Sequence, residues 1–199
     1  PTQFNNANDL AKYPNTLTID LEMLEKVKCD IVYTPPVNDL YVKGETAKSY
    51  DFGSLTTRLE GEFRPGHFNG MATVIEKLFN LIKPTTAFFG QKDLQQLYIV
   101  KALVKQMQSE TYIEGVETVR EKSGLAKSSR NKLLSESEKE EASLIYSCLN
   151  YCKNNKTRGI TELKHYIQNQ FEQHENLKLE YAEIVALNTM QPIDSWQSK

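Results

Sequence analysis

The chain has 199 residues, of which 39% are hydrophobic and 25% charged; this composition is typical of a folded globular protein and excludes a disordered chain. Its 24 basic and 26 acidic residues nearly cancel, so bulk charge predicts neither nucleic acid nor an anionic membrane as a partner. Three cysteines provide no disulfide framework, and no apolar run approaches the roughly 18 residues of a membrane span, so the cytoplasm is the expected location.

The first predicted elements are a helix and a strand. Leu17, Leu21 and Leu24 recur at helical spacing, and the apolar run at 29–33, closed by prolines, predicts a buried strand after that helix. The stretch 41–70 holds five of the nine glycines and is expected to form loops around a short strand. Loops of this length often carry binding or catalytic residues.

Helices and strands alternate after the glycine-rich stretch. A wide apolar face predicts a well-buried helix that ends before Pro84; its residues are Val74, Leu78 and Leu81, with Ile75, Phe79 and Ile82 beside them. The next predicted elements are a strand at 86–90, a helix at 94–107 and a strand at 111–116. This order is typical of a parallel sheet with crossover helices, in which ligands bind at the carboxyl ends of the strands. The loop at 90–93 lies at such an end.

The alternation stops near Thr118, and a charged, loop-like segment follows at 120–132. This change predicts a domain boundary that divides the chain into residues 1–117 and 118–199.

The C-terminal part is predicted to be a small α+β unit. A capping-box pattern of Ser135 and Glu138 predicts a helix from about 136 to 153. The predicted apolar face of this helix consists of Ala142, Ile145, Leu149 and Cys152. A second helix is expected from about Thr161, and residues 177–181 alternate like a half-buried strand.

The segment Gly90–Gln96 is a candidate anion site. It follows a predicted strand and opens a helix, where unpaired backbone N–H groups and the helix dipole favour an anion. Lys92 could hold phosphate, Asp93 could accept hydrogen bonds from sugar hydroxyls, and Gln96 could bind a neutral polar group of a substrate. The alternative is an ordinary strand-to-helix turn with a solvated lysine.

The segment Lys127–Asn131 is a second candidate. Ser128, Ser129 and Arg130 suit a polyphosphate, because arginine forms forked hydrogen bonds to phosphate oxygens and hydroxyl groups add short ones. The alternative is a solvated basic linker. The segment Arg64–His67 places a cation and an imidazole around a rigid turn, and its alternative is a plain surface turn.

No metal site is predicted. Cys148 and Cys152 lie one helical turn apart but have no histidine near them in sequence, so they are expected to pack in the core. His165 and His174 have no metal-binding spacing and are expected to be solvated.

Several short blocks, in one order and spacing, resemble the pantothenate synthetase family across nearly the whole chain. The blocks are Pro1–Asn5 with Asp9–Pro14, Leu59–Phe68, Lys77–Asn80 with Pro84, Phe89–Leu97, Thr118–Glu121 and Gly124–Asn131. The resemblance implies a Rossmann-like nucleotidyltransferase domain, incomplete at its N-terminus, with a smaller α+β C-terminal lid domain, usually in a homodimer.

The implied activity is an ATP-dependent ligase that condenses pantoate with β-alanine. ATP, with Mg²⁺, would convert pantoate into a pantoyl-adenylate and release pyrophosphate. The amine of β-alanine would then displace AMP to give pantothenate for coenzyme A synthesis. The family works by alignment and charge stabilisation, without a covalent protein nucleophile.

The resemblance also assigns site residues by motif position. The implied pantoate-binding residues are Gln3, Gln96, Arg64 and His67. The implied ATP-binding residues are Gly90, Lys92, Asp93, Val119, Ser128, Ser129 and Arg130. The implied catalytic residues are Lys92, Ser128, Ser129 and Arg130.

The chain departs from the family pattern in two places. The family's His-x-Gly-His phosphate motif, which precedes the Pro-Thr-Gln-Phe block, is absent, so the resemblance implies a missing N-terminal segment and an inactive or impaired chain. Lys127 stands where the family usually has an apolar residue, which is expected to alter how the lid packs.

Two alternatives remain open from the sequence. The first is an adenylate-forming ligase for another hydroxy acid, since fold alone does not set function. The second is a catalytically inactive fragment that only binds nucleotide or dimerises.

Overall fold

The larger part of the chain contains a two-stranded parallel sheet. The structure, a computed structural model, describes residues 11, 13–187 and 189–196. Strand β1 (Thr86–Gly90) pairs with strand β2 (Tyr112–Val116) in parallel, from Thr86 opposite Tyr112 to Gly90 opposite Val116. The α/β class with a parallel sheet is therefore confirmed.

The three long helices of this part occupy positions close to the predicted ones, and two short helices lie where none was predicted. Their bounds are Leu17–Lys26 for α1, Val37–Leu40 for α2, Glu60–Phe63 for α3, His67–Ile82 for α4 and Leu94–Gln106 for α5, and short 3₁₀ turns lie at Gly53–Thr56 and Gln91–Asp93. Helix α4 begins after Gly66, whose positive φ of 79° suits glycine, and it ends at Ile82, one residue before the Lys83–Pro84 pair.

The core lies between α4, α5 and one face of the sheet. Ile99, Val100 and Leu103 of α5 are fully buried, and they pack with Met71, Ala72, Ile75 and Phe79 of α4. The predicted face of α4 is confirmed at Ile75 and Phe79, which are buried, and wrong at its end, where Leu81 and Ile82 are exposed.

The two faces of the sheet differ in burial. Ala87 and Phe89 of β1 and Ile113 of β2 pack on the core. On the opposite face, Phe88 is 68% exposed and Tyr112 is 63% exposed. Within the described residues, the helices therefore cover the sheet from one side.

The C-terminal part has its own cluster of buried side chains. Its helices are α6 (Glu136–Ala142), α7 (Leu144–Asn154) and α8 (Ile160–Glu172), and a 3₁₀ turn precedes them at Ser129–Leu133. The predicted capping box is confirmed: Ser135 accepts the backbone N–H of Glu138, whose carboxylate accepts the Ser135 N–H. The buried cluster consists of Cys148, Cys152, Leu163, Ile167 and Phe171, so the expected packing of both cysteines is confirmed.

Several sequence predictions were wrong. The segment 29–33 is not a strand, and Ile31 is 82% exposed, because no neighbouring strand among the described residues supplies a hydrogen-bonded ladder. The stretch 41–70 contains short helices and turns instead of a strand, and its last residues already belong to α4.

The helix expected at 136–153 is interrupted at Ser143, where α6 ends and α7 begins. Its predicted apolar face was displaced, because Ile145 and Leu149 are exposed while Cys148 is buried. Residues 177–181 form no strand, although Leu177 and Leu179 do pack on the cluster below them. His165 is exposed as expected, whereas His174 is half-buried and lies 3.3 Å from Glu141.

Candidate active site

A cavity of about 920 Å³ opens at the carboxyl ends of the two strands. This volume falls within the range of small-molecule sites in proteins. The predicted site residues that line it are Arg64, His67, Gly90, Lys92, Asp93, Gln96, Val119, Ser128, Ser129 and Arg130. Gln3 lies outside the described residues. Four segments distant in the sequence therefore meet around one space.

The end of β1 forms the floor of the cavity. After Gly90 the chain makes the 3₁₀ turn Gln91–Asp93 and enters α5. The Lys92 ammonium lies 3.8 Å from the Asp93 carboxylate, and both side chains are substantially exposed to the cavity. Gln96 lies in the first turn of α5 and also lines the cavity. The strand end therefore presents a cation, a carboxylate and an amide to a ligand.

The serine-rich segment is held against the end of β2. The Lys127 N–H donates to the Val119 carbonyl at 2.9 Å, which places Ser128 beside the chain that leaves β2. The Ser128 hydroxyl accepts the Arg130 N–H at 3.3 Å and starts the 3₁₀ turn Ser129–Leu133. The Arg130 guanidinium lies 5.1 Å from the ring centroid of Tyr13, which also lines the cavity.

The opposite wall comes from the chain around α3 and the start of α4. Arg64 and His67 lie here, and the wall also contains Glu60, which the sequence analysis did not single out. Glu60 Oε2 lies 3.9 Å from Arg64 Nη1. Leu59 directly before it has a φ of 51°, an unfavourable conformation for a leucine.

Gln95, next to the predicted Gln96, fixes this wall. Its Nε2 donates to the carbonyls of Leu55 at 2.7 Å and Arg58 at 2.8 Å, and its Oε1 accepts the Glu60 N–H at 3.2 Å. Gln95 is only 7% exposed. A buried amide with all these partners ties the loop before α3 to α5. The sequence offered no signal for this role, because the contacts span 35 to 40 residues.

The C-terminal tail closes the remaining side. Tyr181, Val185 and Met190 line the cavity. The Tyr181 hydroxyl donates to Glu60 Oε1 at 3.1 Å. Burial, with the charge of Glu60 added, raises the pKa of Tyr181 well above its usual value, so the phenol keeps its proton.

The charges around the cavity are mixed. Arg64, Lys92, Lys127 and Arg130 contribute positive charge, and Glu60, Asp93 and Glu117 contribute negative charge. Within the described ranges, no three His, Cys, Asp or Glu side chains lie close enough to hold a metal ion by themselves. None of the described helices is long and apolar enough to cross a membrane.

A family model described as pantoate-beta-alanine ligase matches residues 1–199. The chain belongs to the pantoate–β-alanine ligase family. The pantothenate synthetase of Christiangramia forsetii is 43% identical over 198 residues, covering 98% of this chain and 69% of that protein. The pantothenate synthetase of Phocaeicola vulgatus is 44% identical over 199 residues, covering 99% of this chain and 70% of that protein.

Solved structures of the pantoate–β-alanine ligase family share the fold. Pantothenate synthetase from Thermus thermophilus superimposes with a TM-score of 0.92 at 34% identity, covering 98% of this chain and 72% of that chain. The ligase from Francisella tularensis, crystallised with an ATP ligand and β-alanine, gives a TM-score of 0.74 at 38% identity and covers 86% of this chain and 64% of that chain. The family predicted from the sequence is therefore confirmed.

Proposed function

We propose that the cavity at the strand ends is the site where this chain joins pantoate to β-alanine with consumption of ATP. The reaction is that of the pantoate–β-alanine ligase family. The observation that carries the assignment to this cavity is the meeting of all the predicted site residues, except the undescribed Gln3, around one space of about 920 Å³.

The chemistry has two steps. In the first, a pantoate carboxylate oxygen attacks the α-phosphorus of ATP, the bond to the bridging oxygen breaks, and pyrophosphate leaves. In the second, the β-alanine amine attacks the acyl carbon of the pantoyl-adenylate, the bond to AMP breaks, and the amine loses a proton as the amide forms. Both steps develop charge on oxygen, which favours fixed cations and hydrogen-bond donors over a protein nucleophile.

The positions in the cavity divide the roles between its walls. Lys92, at the end of β1, would bind ATP phosphate, and Ser128, Ser129 and Arg130 would close on the phosphates from the other side. Asp93 and the Gly90 backbone would hold the ribose, with Val119 beside the adenine. The assigned pantoate ligands are Gln96, Arg64 and His67, together with the undescribed Gln3. This division is supported by the presence of all these described groups in the lining of one cavity.

Mg²⁺ fits this site as a companion of ATP. The ion prefers oxygen ligands and is usually held by substrate phosphates with one or two carboxylates and water. The carboxylates of Asp93 and Glu117 line the cavity, and the described residues offer no denser cluster of metal ligands. The ion would neutralise charge on the phosphates, and it would enter bound to ATP.

The proposal includes the wider organisation expected from the sequence. Residues 1–117 would bind the substrates, and residues 118–199 would act as the lid. A homodimer and a location in the cytoplasm also belong to the proposal.

The test replaces Lys92 in the full-length protein. Because Lys92→Met removes the cation nearest the end of β1, we expect the rate of pyrophosphate release with pantoate and ATP to fall on the order of 100-fold or more. The matched control is Lys105→Met in the last turn of α5, the helix that follows Lys92, where the side chain is exposed and outside the cavity. It should retain the parental rate.

Pyrophosphate release should also require pantoate, and amide formation should require β-alanine. Unchanged activity in Lys92→Met would contradict the assignment of the cavity. Equal activity with an unrelated hydroxy acid would contradict the choice of pantoate.

A further inference from the structure

The C-terminal tail reaches back to a wall of the cavity that is distant in sequence. Tyr181 and Glu60 are 121 residues apart, yet the tyrosine hydroxyl lies 3.1 Å from Glu60 Oε1. The tail is held in place locally, because Val185 pairs with Pro192 and Met190 is 2% exposed. The contact therefore joins two fixed parts of the molecule.

The tyrosine makes two separable contacts with this wall. Its ring stacks on Phe63 with a centroid distance of 5.2 Å and an interplanar angle of 11°. Its hydroxyl donates to Glu60. The stack involves the ring and not the hydroxyl, so a change that removes only the hydroxyl separates the two contacts.

Glu60 is held at its backbone N–H and at one carboxylate oxygen. Gln95 accepts its N–H, and Tyr181 donates to its Oε1. Its Oε2 lies 3.9 Å from Arg64 Nη1. The hydrogen bond from Tyr181 restricts the rotation of this carboxylate, whose second oxygen faces the Arg64 guanidinium as the nearer end of an ion pair.

We propose that Tyr181 is a positioning residue, which acts through Glu60 to set the location of the Arg64 guanidinium on the acid-binding wall. This inference rests on the proposed function of the cavity and adds to it. It assigns part of the control over pantoate binding to the C-terminal tail, while the proposed ATP ligands lie at the end of β1, in the turn Gln91–Asp93 and in the serine-rich segment.

The geometry separates this role from simple packing. Loss of the hydroxyl leaves the stack on Phe63 but frees the Glu60 carboxylate, and Arg64 can then follow it. Within the described part of the chain, the hydrogen bonds and ring contacts of Tyr181 do not involve Lys92 or Ser128. Loss of the Tyr181 hydroxyl should therefore weaken the binding of pantoate and leave the binding of ATP unchanged.

The test is Tyr181→Phe in the full-length protein, with steady-state kinetics for each substrate in turn. We expect the KM for pantoate to rise roughly fivefold, as for the loss of one hydrogen bond to a charged group that is partly exposed, with the KM for ATP unchanged. The matched control is Tyr166→Phe, which makes the same chemical change in the C-terminal cluster, where that ring stacks on Tyr151. It should leave both KM values unchanged.

A double-mutant cycle with Glu60→Gln tests whether the hydroxyl acts through the carboxylate. If it does, Tyr181→Phe should add little to the effect of Glu60→Gln, because contacting residues are not additive when one acts through the other. Full additivity of the two changes would overturn the proposal, because it would mean that Tyr181 acts independently of Glu60.

Two other outcomes would also overturn it. One is an unchanged KM for pantoate in Tyr181→Phe. The other is an equal rise of both KM values together with a lower melting temperature, which indicates a purely structural role. In both cases a strong defect in Lys92→Met would leave the proposed function intact, whereas unimpaired Lys92→Met and Glu60→Gln variants would show that the cavity itself was assigned wrongly.

Discussion

At Leu59 the cavity wall contains a backbone conformation that leucine does not favour. Its φ is 51° and its ψ is −128°, outside the regions that side chains with a Cβ normally occupy. The hydrogen bonds of Gln95 flank this residue on both sides, since they reach Leu55 and Arg58 before it and Glu60 after it. Gln95 therefore stabilises an otherwise unfavourable turn at the place where Glu60 enters the cavity.

Replacing Gln95 by methionine, which has a similar size, should show how much the Gln95 hydrogen bonds contribute to stability. The change leaves two carbonyls and one N–H without their partner in a buried location, and we expect the free energy of unfolding to fall by about 2 kcal/mol. For a chain of this length the melting temperature should fall by about 6 °C. Thermal unfolding followed by circular dichroism measures the change.

Gln168→Met is the matched control. The Gln168 side chain also donates a hydrogen bond, to Glu172 at 2.7 Å, but it does so on the exposed surface of α8. This variant should melt within about 1 °C of the parent, as is usual for exposed positions. An equally small effect of Gln95→Met would contradict the account of the wall.

The residues found from the sequence and those missed differ in the range of their contacts. Lys92 and Ser128 lie in short motifs whose local chemistry is visible in the chain itself. The roles of Gln95 and Tyr181 depend on hydrogen bonds to partners 35 or more residues away. No local pattern distinguishes them from ordinary polar surface residues.

At the scale of elements, α4 holds the irregular stretch before it by a small polar network. Lys48 Nζ and the Tyr50 hydroxyl both donate to Glu76 Oε2, at 2.7 Å and 2.6 Å. Partial burial acts to raise the pKa of Glu76, but these hydrogen bonds outweigh it, and the pKa lies below its usual value of 4.5. The network ties residues 48–50 to the middle of the helix.

This network makes stability depend on pH in a defined direction. A carboxyl group whose pKa is lowered by folding stabilises the folded chain above pH 4.5, and the contribution disappears as the pH falls through the lower folded value. We expect Glu76→Gln to reduce the free energy of unfolding at neutral pH and to lose less stability than the parent between neutral pH and about pH 3. Urea unfolding at the two pH values measures both quantities.

Glu175→Gln, at an exposed position after α8, provides the comparison. Its free energy of unfolding should equal that of the parent at both pH values. If the stability of Glu76→Gln falls with pH as much as that of the parent, the ionised Glu76 carboxylate is not the source of the pH-dependent stability.

The elements could be predicted where periodicity and local start or stop signals agree. Helix α4 has a long apolar face and a proline after its end, and the helix α6 has a capping box. The strand prediction for residues 29–33 was wrong, because an apolar run forms a strand only beside another strand. The break at Ser143 was not predicted, because the helical pattern of the sequence continues across it.

At the scale of the whole molecule, the two buried clusters lie in different parts of the sequence. The first extends from Phe52 to Ile113 and the second from Cys148 to Phe171. This separation agrees with the proposed division near Thr118. The contacts of Tyr181 with Glu60 and Phe63 cross that division, which the sequence could not predict because they bring together distant segments.

The proposed homodimer is a prediction at this scale. Large apolar side chains such as Phe88 and Tyr112 are exposed in the described chain, which supports further association. We expect light scattering to give the mass of two full-length chains across a wide range of protein concentration. The mass of a single chain at every concentration would contradict the homodimer.

The distribution of the cysteines has a practical consequence for solution studies. Cys29 is exposed, whereas Cys148 and Cys152 are buried, and burial raises the pKa of both buried thiols. Since the thiolate is the reactive form, alkylating reagents should modify Cys29 selectively while the protein remains folded. A single fluorophore can thus be attached beyond α1 without replacing any other residue, and slow labelling of the remaining thiols reports opening of the C-terminal cluster.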